Sequence, residues 1–438
     1  MDWNRTKLLA PWVASLGFGL MGCGAQAPQS PIDPVGSRPV PAALDLNNVR
    51  IENDPAVLES RMTRGAVPLT VAPKGVSGVQ VAAKSADERV IGVRLTQVAT
   101  VAAPTVDGHV VQANDIEISG NTALVAYNFA GDVFAGAVQA IDFSHPEHPV
   151  LVSEVLYRHA DVNAVTLQGS DVFIGLASDD ATLSTPALVE RLKLTGGSGL
   201  SQTGQWVDLP SWAVTDLAVH GDDVAAGVGA QNGGVALLRR NDLTLQRFAA
   251  AFDVRGVAMA SNDDHKTADD GVGVMSVCGQ PGMMLQHGLP ALTVAAGTPV
   301  VGYGVDAAKG TIEYAGHLCY LGAGDGGFQV RNPGGSLLAQ LGNGEFGNHA
   351  PATAVTNAVS VANHLAFVAA GPAGVQVVRL GRYRCDGRES EETAGLRLLG
   401  QLALEDGASG NMVKAKNDLL VVAAGSGGVK LVTMQFLQ

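Results

Sequence analysis

The chain has 438 residues, of which 46% are hydrophobic and 16% charged, so it can bury a large core and is not a generally disordered protein. Its formal net charge is −13, and an acidic surface repels phosphate backbones, which argues against a nucleic acid partner. Glycine is abundant at 55 residues and aromatic residues make up only 5%, a composition typical of many short strands joined by tight turns.

The first 22 residues are typical of an export signal. A short basic head precedes an apolar stretch, residues 8–22, which is too short to cross a membrane comfortably. The stretch ends Leu20-Met21-Gly22-Cys23, which resembles the lipobox of bacterial lipoproteins. The resemblance implies cleavage before Cys23, a lipid on Cys23 and a cell-envelope location, with Gly24 favouring the outer membrane or the cell surface. An ordinary secretory signal with a chance cysteine is the alternative.

The segment after the signal is predicted to be a tether. Residues 24–44 hold five prolines and no apolar periodicity, which favours a semi-extended chain. Residues 45–76 are mixed, and residues 56–64 could form a short helix. We therefore divide the chain into a signal peptide at 1–22, a lipidated cysteine and tether at 23–76, and a folded domain at 77–438.

A three-strand pattern recurs seven times between about Asp115 and Val432. Each copy begins with an apolar run that ends in a polar or glycine turn. A second apolar run follows, then often a glycine, and then a third strand. The first apolar residues of the seven third strands are Val138, Leu188, Val235, Met283, Phe328, Val375 and Val429. They lie 45–54 residues apart, which is the size of one β-propeller blade. A ring of six or eight blades is an alternative, because the fourth repeat, residues 254–294, is degenerate.

The two ends of the repeat array complement each other. The first repeat shows four strands, at residues 115–119, 122–127, 137–143 and 150–156, whereas the last stops after its third. Residues 92–101 resemble residues 395–404, the fourth strand of the sixth repeat. We predict an all-β, seven-bladed β-propeller of four-stranded antiparallel blades, closed by an N-terminal strand in the last blade, which removes an open sheet edge.

One stretch resembles a known repeat. Residues 138–153 read VQAIDFSHPEHPVLVS, which is similar to the LVIVD repeat of bacterial and archaeal surface proteins. The similarity is close in the first repeat and partial in the others, which lose the Asp-x-Ser-x-Pro turn. The resemblance implies a propeller in the cell envelope and implies no catalytic residues.

One set of polar residues recurs with the repeats. Five of the seven inner strands open with a carboxylate or an amide: Asp115, Asn163, Asp216, Asn357 and Asn411. Inner strands line a propeller channel, so these side chains could form a polar ring at one mouth that holds calcium, water or a small polar ligand. The stronger interpretation is structural, because Asp and Asn favour turns that enter strands.

Two functions fit this sequence. The first is a lipid-anchored binding or scaffold module that uses loops on a rigid frame to bind an envelope protein or a glycan. The loops named as contact surfaces are residues 178–185, 261–270 and 382–393. The alternative is a periplasmic hydrolase or lyase with Asp115 and Asp216 as acid and base. No known propeller-enzyme motif favours it.

The remaining candidates have structural explanations. His145 and His148 flank Glu147 in a proline-rich turn, where the side chains are expected to splay apart rather than bind a metal ion. Cys278, Cys319 and Cys385 show no zinc spacing. A disulfide between Cys278 and Cys319 is an alternative, but two buried free thiols are favoured.

Overall fold

A computed structural model describes residues 48–69, 92–181, 183–196, 199–229, 231–260, 273–279, 282–303, 309–345, 354–381, 395–404 and 408–437. The predictions for the signal peptide, Cys23, the tether before residue 48, the insertions at 261–270 and 382–393, and Cys385 lie outside these residues.

Seven four-stranded antiparallel blades form the protein, each running from an inner to an outer strand, and this confirms the predicted propeller. Blades 1 to 3 have strands at Gln112–Ser119, Thr122–Asn128, Gly136–Asp142 and Val150–Tyr157; at Ala160–Gln168, Asp171–Ser178, Ala187–Thr195 and Gly199–Asp208; and at Ala213–His220, Asp223–Gly229, Gly234–Arg239 and Leu245–Ala250. Blades 4 to 6 have strands at Val254–Ala260, Gly273–Cys278, Met283–Gly288 and Thr293–Pro299; at Thr311–Ala315, Leu318–Gly322, Phe328–Arg331 and Leu337–Leu341; and at Ala358–Ala362, Leu365–Ala369, Val375–Arg379 and Arg397–Leu402. Each predicted third-strand residue lies in a third strand, including that of the degenerate fourth repeat.

The core lies between neighbouring blades rather than at the centre of the ring. Second strands such as Leu419–Ala423 are buried along their whole length, because a blade packs against both of its faces. Tyr127, Phe173, Phe328 and Phe367 are among the largest fully buried side chains. Apolar contacts between neighbouring blades therefore hold the blades side by side. The polar residues of the inner strands line the channel.

Blade 7 is built from both ends of the chain. Its inner three strands are Met412–Lys416, Leu419–Ala423 and Val429–Leu437, and its fourth is Gly92–Val101, here called the closing strand. The closing strand runs antiparallel to Val429–Leu437, with Gly92 opposite Leu437 and Val101 opposite Val429. This confirms the predicted closure.

Residues 49–69 form a clasp over the junction between blades 7 and 1. The strand Val49–Glu52 pairs with Val150–Tyr157, and the strand Met62–Leu69 pairs with the closing strand, so each of these blades gains a fifth strand. The helix between them, Pro55–Glu59, is capped by Asp54, whose side chain accepts a hydrogen bond from the Ala56 N–H at 2.9 Å.

The clasp differs from what the sequence predicted for this segment. A helix over 56–64 and a tether to residue 76 were expected, but the helix ends at Glu59. The Arg61 carbonyl accepts a hydrogen bond from the Ala102 N–H at 2.9 Å, and the Arg61 guanidinium lies 3.5 Å from the buried Glu154 carboxylate. Pairing with the blades therefore overrides the weak local helix propensity. Within the described residues, no helix is both long and apolar enough to span a membrane.

Candidate functional site at the channel mouth

All inner strands begin at the same face of the ring, which we call the top face. The strands of each blade alternate in direction, so the turn between the second and third strands returns to this face. Contacts between such turns and the next blade show it: the Ala113 N–H donates to the Gly425 carbonyl at 3.0 Å, and Gly371 bridges to Gly410. The top face therefore carries the channel mouth and two sets of loops.

Two strand-opening carboxylates join neighbouring blades. Asp115 Oδ2 of blade 1 accepts a hydrogen bond from the Val165 N–H of blade 2 at 2.8 Å. Asp216 Oδ2 of blade 3 accepts from the Val257 N–H of blade 4 at 2.9 Å, while its Oδ1 accepts from the Leu217 N–H at 2.8 Å. These contacts hold the inner strands of neighbouring blades together, and only the bond to Leu217 is of the local kind that the structural interpretation of the sequence expected.

The three strand-opening amides make similar contacts. The Nδ2 groups of Asn357 and Asn411 donate to the carbonyls of Gly410 and Ala113, each at 3.0 Å, and each contact joins one blade to the next. Asn163 Oδ1 accepts from Asn128 Nδ2 at 3.0 Å across blades 1 and 2. No three His, Cys, Asp or Glu side chains of the described residues are placed to hold a metal ion. A calcium ring at this mouth stays a prediction.

A β-bulge at the start of the inner strand turns some of these side chains towards the neighbouring blade. The pairing register of the first and second strands shifts between Ala113 and Asp115 in blade 1, and between Val214 and Asp216 in blade 3. One extra residue in the inner strand re-aims the side chains that follow it. In blades 1 and 3, the bulge accounts for the contact that the Asp side chain makes with the neighbouring blade.

Lys309 reaches across the channel mouth from the loop that enters blade 5. Its ammonium group lies 2.8 Å from Asp115 Oδ1 of blade 1, and it donates to the Asn114 carbonyl at 2.6 Å. Its own backbone N–H donates to Asn357 Oδ1 of blade 6 at 3.2 Å. Lys309 thus links blades 1, 5 and 6, a contact that repeat analysis did not reveal because it lies outside the repeated strands.

A second charged layer lies deeper in the channel. Lys414 of blade 7 pairs with Glu313 of blade 5 at 3.3 Å and with Glu117 of blade 1 at 3.7 Å. Burial raises the pKa of Glu117 although Lys414 is near, and the charge of Glu117 raises the pKa of Lys414. Sequence reasoning missed these residues. The signal was a charged residue between apolar neighbours on the inner strands, as in Asp115-Ile-Glu117-Ile118.

The two carboxylates named as acid and base are both engaged. Burial raises the pKa of Asp216 to about 7, with a further contribution from the negative charge of Asp115. All four carboxylate oxygens of Asp115 and Asp216 already contact backbone N–H groups or Lys309. A carboxyl that titrates near neutral pH suits proton transfer in general, but a substrate would have to displace these contacts.

Several exposed apolar side chains lie on loops of the top face. Trp212, Phe252 and Val301 are 50%, 40% and 76% exposed, and they lie on the loops that enter blades 3, 4 and 5. Val110 and Val133 lie on top-face loops near blade 1 and are also exposed. The predicted contact loop at 178–185 lies on this face too, between the second and third strands of blade 2.

The His145–His148 turn lies on the opposite face, beside the clasp. It is closed by a hydrogen bond from the His148 N–H to the His145 carbonyl at 2.8 Å. Glu147 and His148 line one wall of an open groove of about 420 Å³, with Arg64 on the clasp side. Arg64 donates to the Pro149 carbonyl at 3.0 Å and pairs with Glu59, so the turn anchors the clasp.

The two described cysteines are reduced and buried, in agreement with the favoured interpretation. Cys278 ends the second strand of blade 4, and Cys319 lies in the second strand of blade 5. Burial raises the pKa of the Cys319 thiol to about 12, which keeps it protonated and unreactive.

Comparison with known proteins reveals fold similarity alone. No family model and no curated protein matches the sequence. Among solved structures, the RRP9 WD40 repeats match with a TM-score of 0.56 and 11% identity, covering 76% of this chain and 98% of that one. A chain of a mitotic checkpoint complex matches with a TM-score of 0.54 and 13% identity, covering 84% and 99%. The WD40 propeller domain of Doa1 matches with a TM-score of 0.50 and 11% identity, covering 76% and 96%. These similarities support the fold alone, which is a seven-bladed β-propeller.

Proposed function

We propose that this protein is a binding scaffold that contacts a partner protein through its top face. The observation that carries the proposal is that three exposed apolar side chains, Trp212, Phe252 and Val301, lie on consecutive entry loops of the top face. Covering an exposed apolar side chain with a partner is favourable, because it removes apolar surface from water. Their loops project from a rigid ring, which is the arrangement that suits recognition.

Binding accounts for the channel better than catalysis does. A hydrolase or lyase needs carboxylates that face a substrate cavity, but Asp115 pairs with Lys309 and Asp216 accepts two backbone hydrogen bonds. Lys414, Glu117 and Glu313 fill the layer beneath with ion pairs. The charged groups in the channel therefore stabilise the contacts between blades. The loops of the top face are the part of the molecule that we assign to partner binding.

Site-specific photocrosslinking tests the proposal. A photoreactive phenylalanine analogue replaces Trp212 in one variant and Leu337, which is 48% exposed on the opposite face, in a matched control. We expect a discrete protein adduct in cells from position 212 and none from position 337. Adducts from position 337 alone, or from neither position, would contradict a top-face scaffold.

The proposal places the scaffold on a lipid anchor in the cell envelope, at the outer membrane or cell surface. It rests on the lipobox-like Leu20-Met21-Gly22-Cys23 and on the LVIVD-like stretch at 138–153. A Cys23→Ser variant should move from the detergent phase to the aqueous phase in Triton X-114 partition, whereas a Cys385→Ser variant should not. Equal partition of both variants would remove the anchor but would leave top-face binding standing.

A further inference from the structure

Blades 1 and 3 begin their inner strands in the same way. Asp115 follows one bulged residue, Asn114, and Asp216 follows another, Thr215. Each of the two carboxylates accepts a hydrogen bond from a backbone N–H of the next blade, at 2.8 and 2.9 Å. Each bulged side chain donates to a backbone carbonyl of the next blade, Asn114 Nδ2 at 3.2 Å and Thr215 Oγ1 at 2.9 Å. The two strand openings are therefore equivalent sites within one molecule.

The blade 1 site shows what such an opening can hold. The Lys309 ammonium group contacts Asp115 Oδ1 at 2.8 Å and the carbonyl of the bulged Asn114 at 2.6 Å. One carboxylate and one carbonyl thus bind the cation, and the covered Asp115 side chain is 4% exposed. Lys309 comes from the loop that enters blade 5, so this site takes its ammonium group from outside its own blade.

The blade 3 site has the same two acceptors without such a contact. Among the residues that the structure describes, no lysine, arginine or histidine lies within ion-pair distance of Asp216. Asp216 is partly exposed, whereas Asp115 is buried. Thr215 has no partner in the pairing register, as expected of the bulged residue. Its carbonyl is the counterpart of the Asn114 carbonyl, so water reaches the site that is occupied by Lys309 in blade 1.

The contacts that Asp216 already makes leave acceptor positions on its carboxylate. Oδ1 accepts a hydrogen bond from the Leu217 N–H at 2.8 Å, and Oδ2 accepts one from the Val257 N–H at 2.9 Å. An ionised carboxylate offers about four acceptor positions. An ammonium group can therefore add to these contacts, as Lys309 adds to the backbone contact of Asp115, without the proton exchange that an acid or a base would need.

The chemistry of the site selects among cations. Calcium takes about six to eight oxygen ligands, and no three His, Cys, Asp or Glu side chains of the described ranges are grouped for a metal ion. A primary ammonium group has three N–H donors, and blade 1 shows that one carboxylate with one carbonyl holds it. A quaternary ammonium group has no N–H to donate to these acceptors.

We infer that the channel mouth binds the primary ammonium group of a ligand between the Asp216 carboxylate and the Thr215 carbonyl. The group belongs either to a free amine or to a lysine side chain of a partner, and both sources share this chemistry. The site lies on an inner strand and not on the entry loops. The inference therefore goes beyond the top-face scaffold and does not depend on it.

Isothermal titration calorimetry with the purified full chain tests the inference with two amines. Pentylamine represents a free amine, and a capped glycine-lysine-glycine peptide represents a lysine side chain. The matched neutral controls are pentan-1-ol and the same peptide with acetyl-lysine. We expect at least one amine to bind at one site per chain and at least tenfold more tightly than its neutral control. Tighter binding of pentylamine assigns the site to a free amine, and tighter binding of the peptide assigns it to a partner's lysine.

Three variants locate the binding. Asp216→Asn should weaken amine binding at least tenfold, because asparagine keeps an oxygen for the backbone contact but carries no charge. Asp222→Asn, at a side chain that is 95% exposed at the other end of the inner strand of blade 3, is the matched control and should bind as the parent does. Lys309→Ala frees the equivalent site at Asp115 and should raise the stoichiometry from one amine to two, a gain that a misfolded variant would not show.

The pH profile of amine binding gives a further readout. Burial and the charge of Asp115 raise the pKa of Asp216 to about 7, although the charge of Lys309 acts in the opposite direction. The Tyr303 hydroxyl is the other described titratable group that feels the charge of Asp216. Alkylammonium groups stay charged in this range, so the parent should bind at least tenfold more weakly at pH 5.5 than at pH 8.5. Asp216→Asn should show no such change.

The outcomes separate the inference from the proposed function. Binding of neither amine, equal binding of an amine and its neutral control, or amine binding that Asp216→Asn leaves unchanged would each overturn the inference. Binding of calcium that Asp216→Asn abolishes, without amine binding, would show a metal site and would overturn it as well. None of these results affects the top-face scaffold, whose test is the adduct from position 212.

Discussion

Glu190 is a buried carboxyl group with two hydrogen-bond donors and no described cation beside it. The Tyr157 hydroxyl donates to it at 2.9 Å and the Gln202 amide at 3.0 Å. Burial raises the pKa of Glu190 to about 7, above its ordinary value of 4.5, so the folded state holds the proton more tightly than the unfolded state. The stability that this group contributes is complete below about pH 4.5 and is lost as the pH rises through about 7.

A Glu190→Gln variant should therefore lose this part of the pH dependence. At pH 8.5 it should be more stable than the parent by roughly 2–4 kcal/mol, whereas near pH 4.5 the two should be similar. Urea unfolding at a series of pH values measures the difference. Glu147→Gln, at an exposed position, is the control and should follow the parent curve. Parallel curves for Glu190→Gln and the parent would contradict the assignment.

The contact between Lys309 and Asp115 is the residue-scale link across the channel mouth. The Asp115 side chain is 4% exposed and that of Lys309 is 17% exposed, so removal of the lysine leaves a buried carboxylate without its cation. Lys309→Met should destabilise the protein by about 2–4 kcal/mol, and Asp115→Asn in the same chain should recover part of the loss. A double-mutant cycle in urea measures the coupling.

The exposed pair Arg239 and Asp242 provides the comparison for this cycle. It should show a coupling below about 1 kcal/mol, because water screens exposed charges. Equal couplings at the two pairs would show that Lys309 does not act as a cross-channel tie.

The clasp is the element that ties the N-terminal segment to the ring. Arg61 contacts Glu154, which is 1% exposed and also accepts a hydrogen bond from the Gln139 amide at 2.8 Å. The Tyr127 hydroxyl in turn donates to Gln139, so the clasp continues a polar network in the core of blade 1. Loss of one member of a buried network leaves the others unsatisfied.

Arg61→Met should destabilise the protein by about 1–3 kcal/mol. This is less than for a fully buried ion pair, because the Arg61 side chain is partly accessible to water. The strands of the clasp should also exchange their amide hydrogens faster, since their pairing then has less support. Arg50→Met removes an exposed pair with Glu52 on the same clasp and is the control. Unchanged exchange in Arg61→Met would show that backbone pairing alone holds the clasp.

At the scale of elements, prediction from sequence succeeded where the signal was repeated and failed where it was not. The third strands and the closing strand were found because seven copies reinforced one pattern and the last copy was incomplete. The clasp strands at Val49–Glu52 and Met62–Leu69 were missed, because a lone fifth strand has no copies and depends on its partner for pairing. Lys309 was missed for the same reason. The Asp and Asn residues that open the inner strands were found, but their side chains make contacts between blades.

At the scale of the whole molecule, the closing strand is where the ring is joined. The blades stack through apolar contacts between neighbours, so a ring that opens at blade 7 loses one complete interface. The pairing of Gly92–Val101 with Val429–Leu437 spans nearly the entire folded chain in sequence. A covalent cross-link between such distant residues would remove more conformational entropy from the unfolded chain than a cross-link within one blade.

A disulfide across this seam should therefore stabilise the protein more than one inside a blade. Thr96 lies opposite Thr433 in the register of the closing strand, and Val235 lies opposite Ala249 within blade 3. In a background with Cys23→Ser and Cys385→Ser, oxidation of Thr96→Cys/Thr433→Cys should add about 6 kcal/mol, against about 3 kcal/mol for Val235→Cys/Ala249→Cys, by the chain-entropy model. Comparison of oxidised and reduced forms of each variant by urea unfolding cancels the cost of the substitutions themselves. Equal gains in the two variants would mean that the seam does not limit unfolding, and that the ring opens elsewhere first.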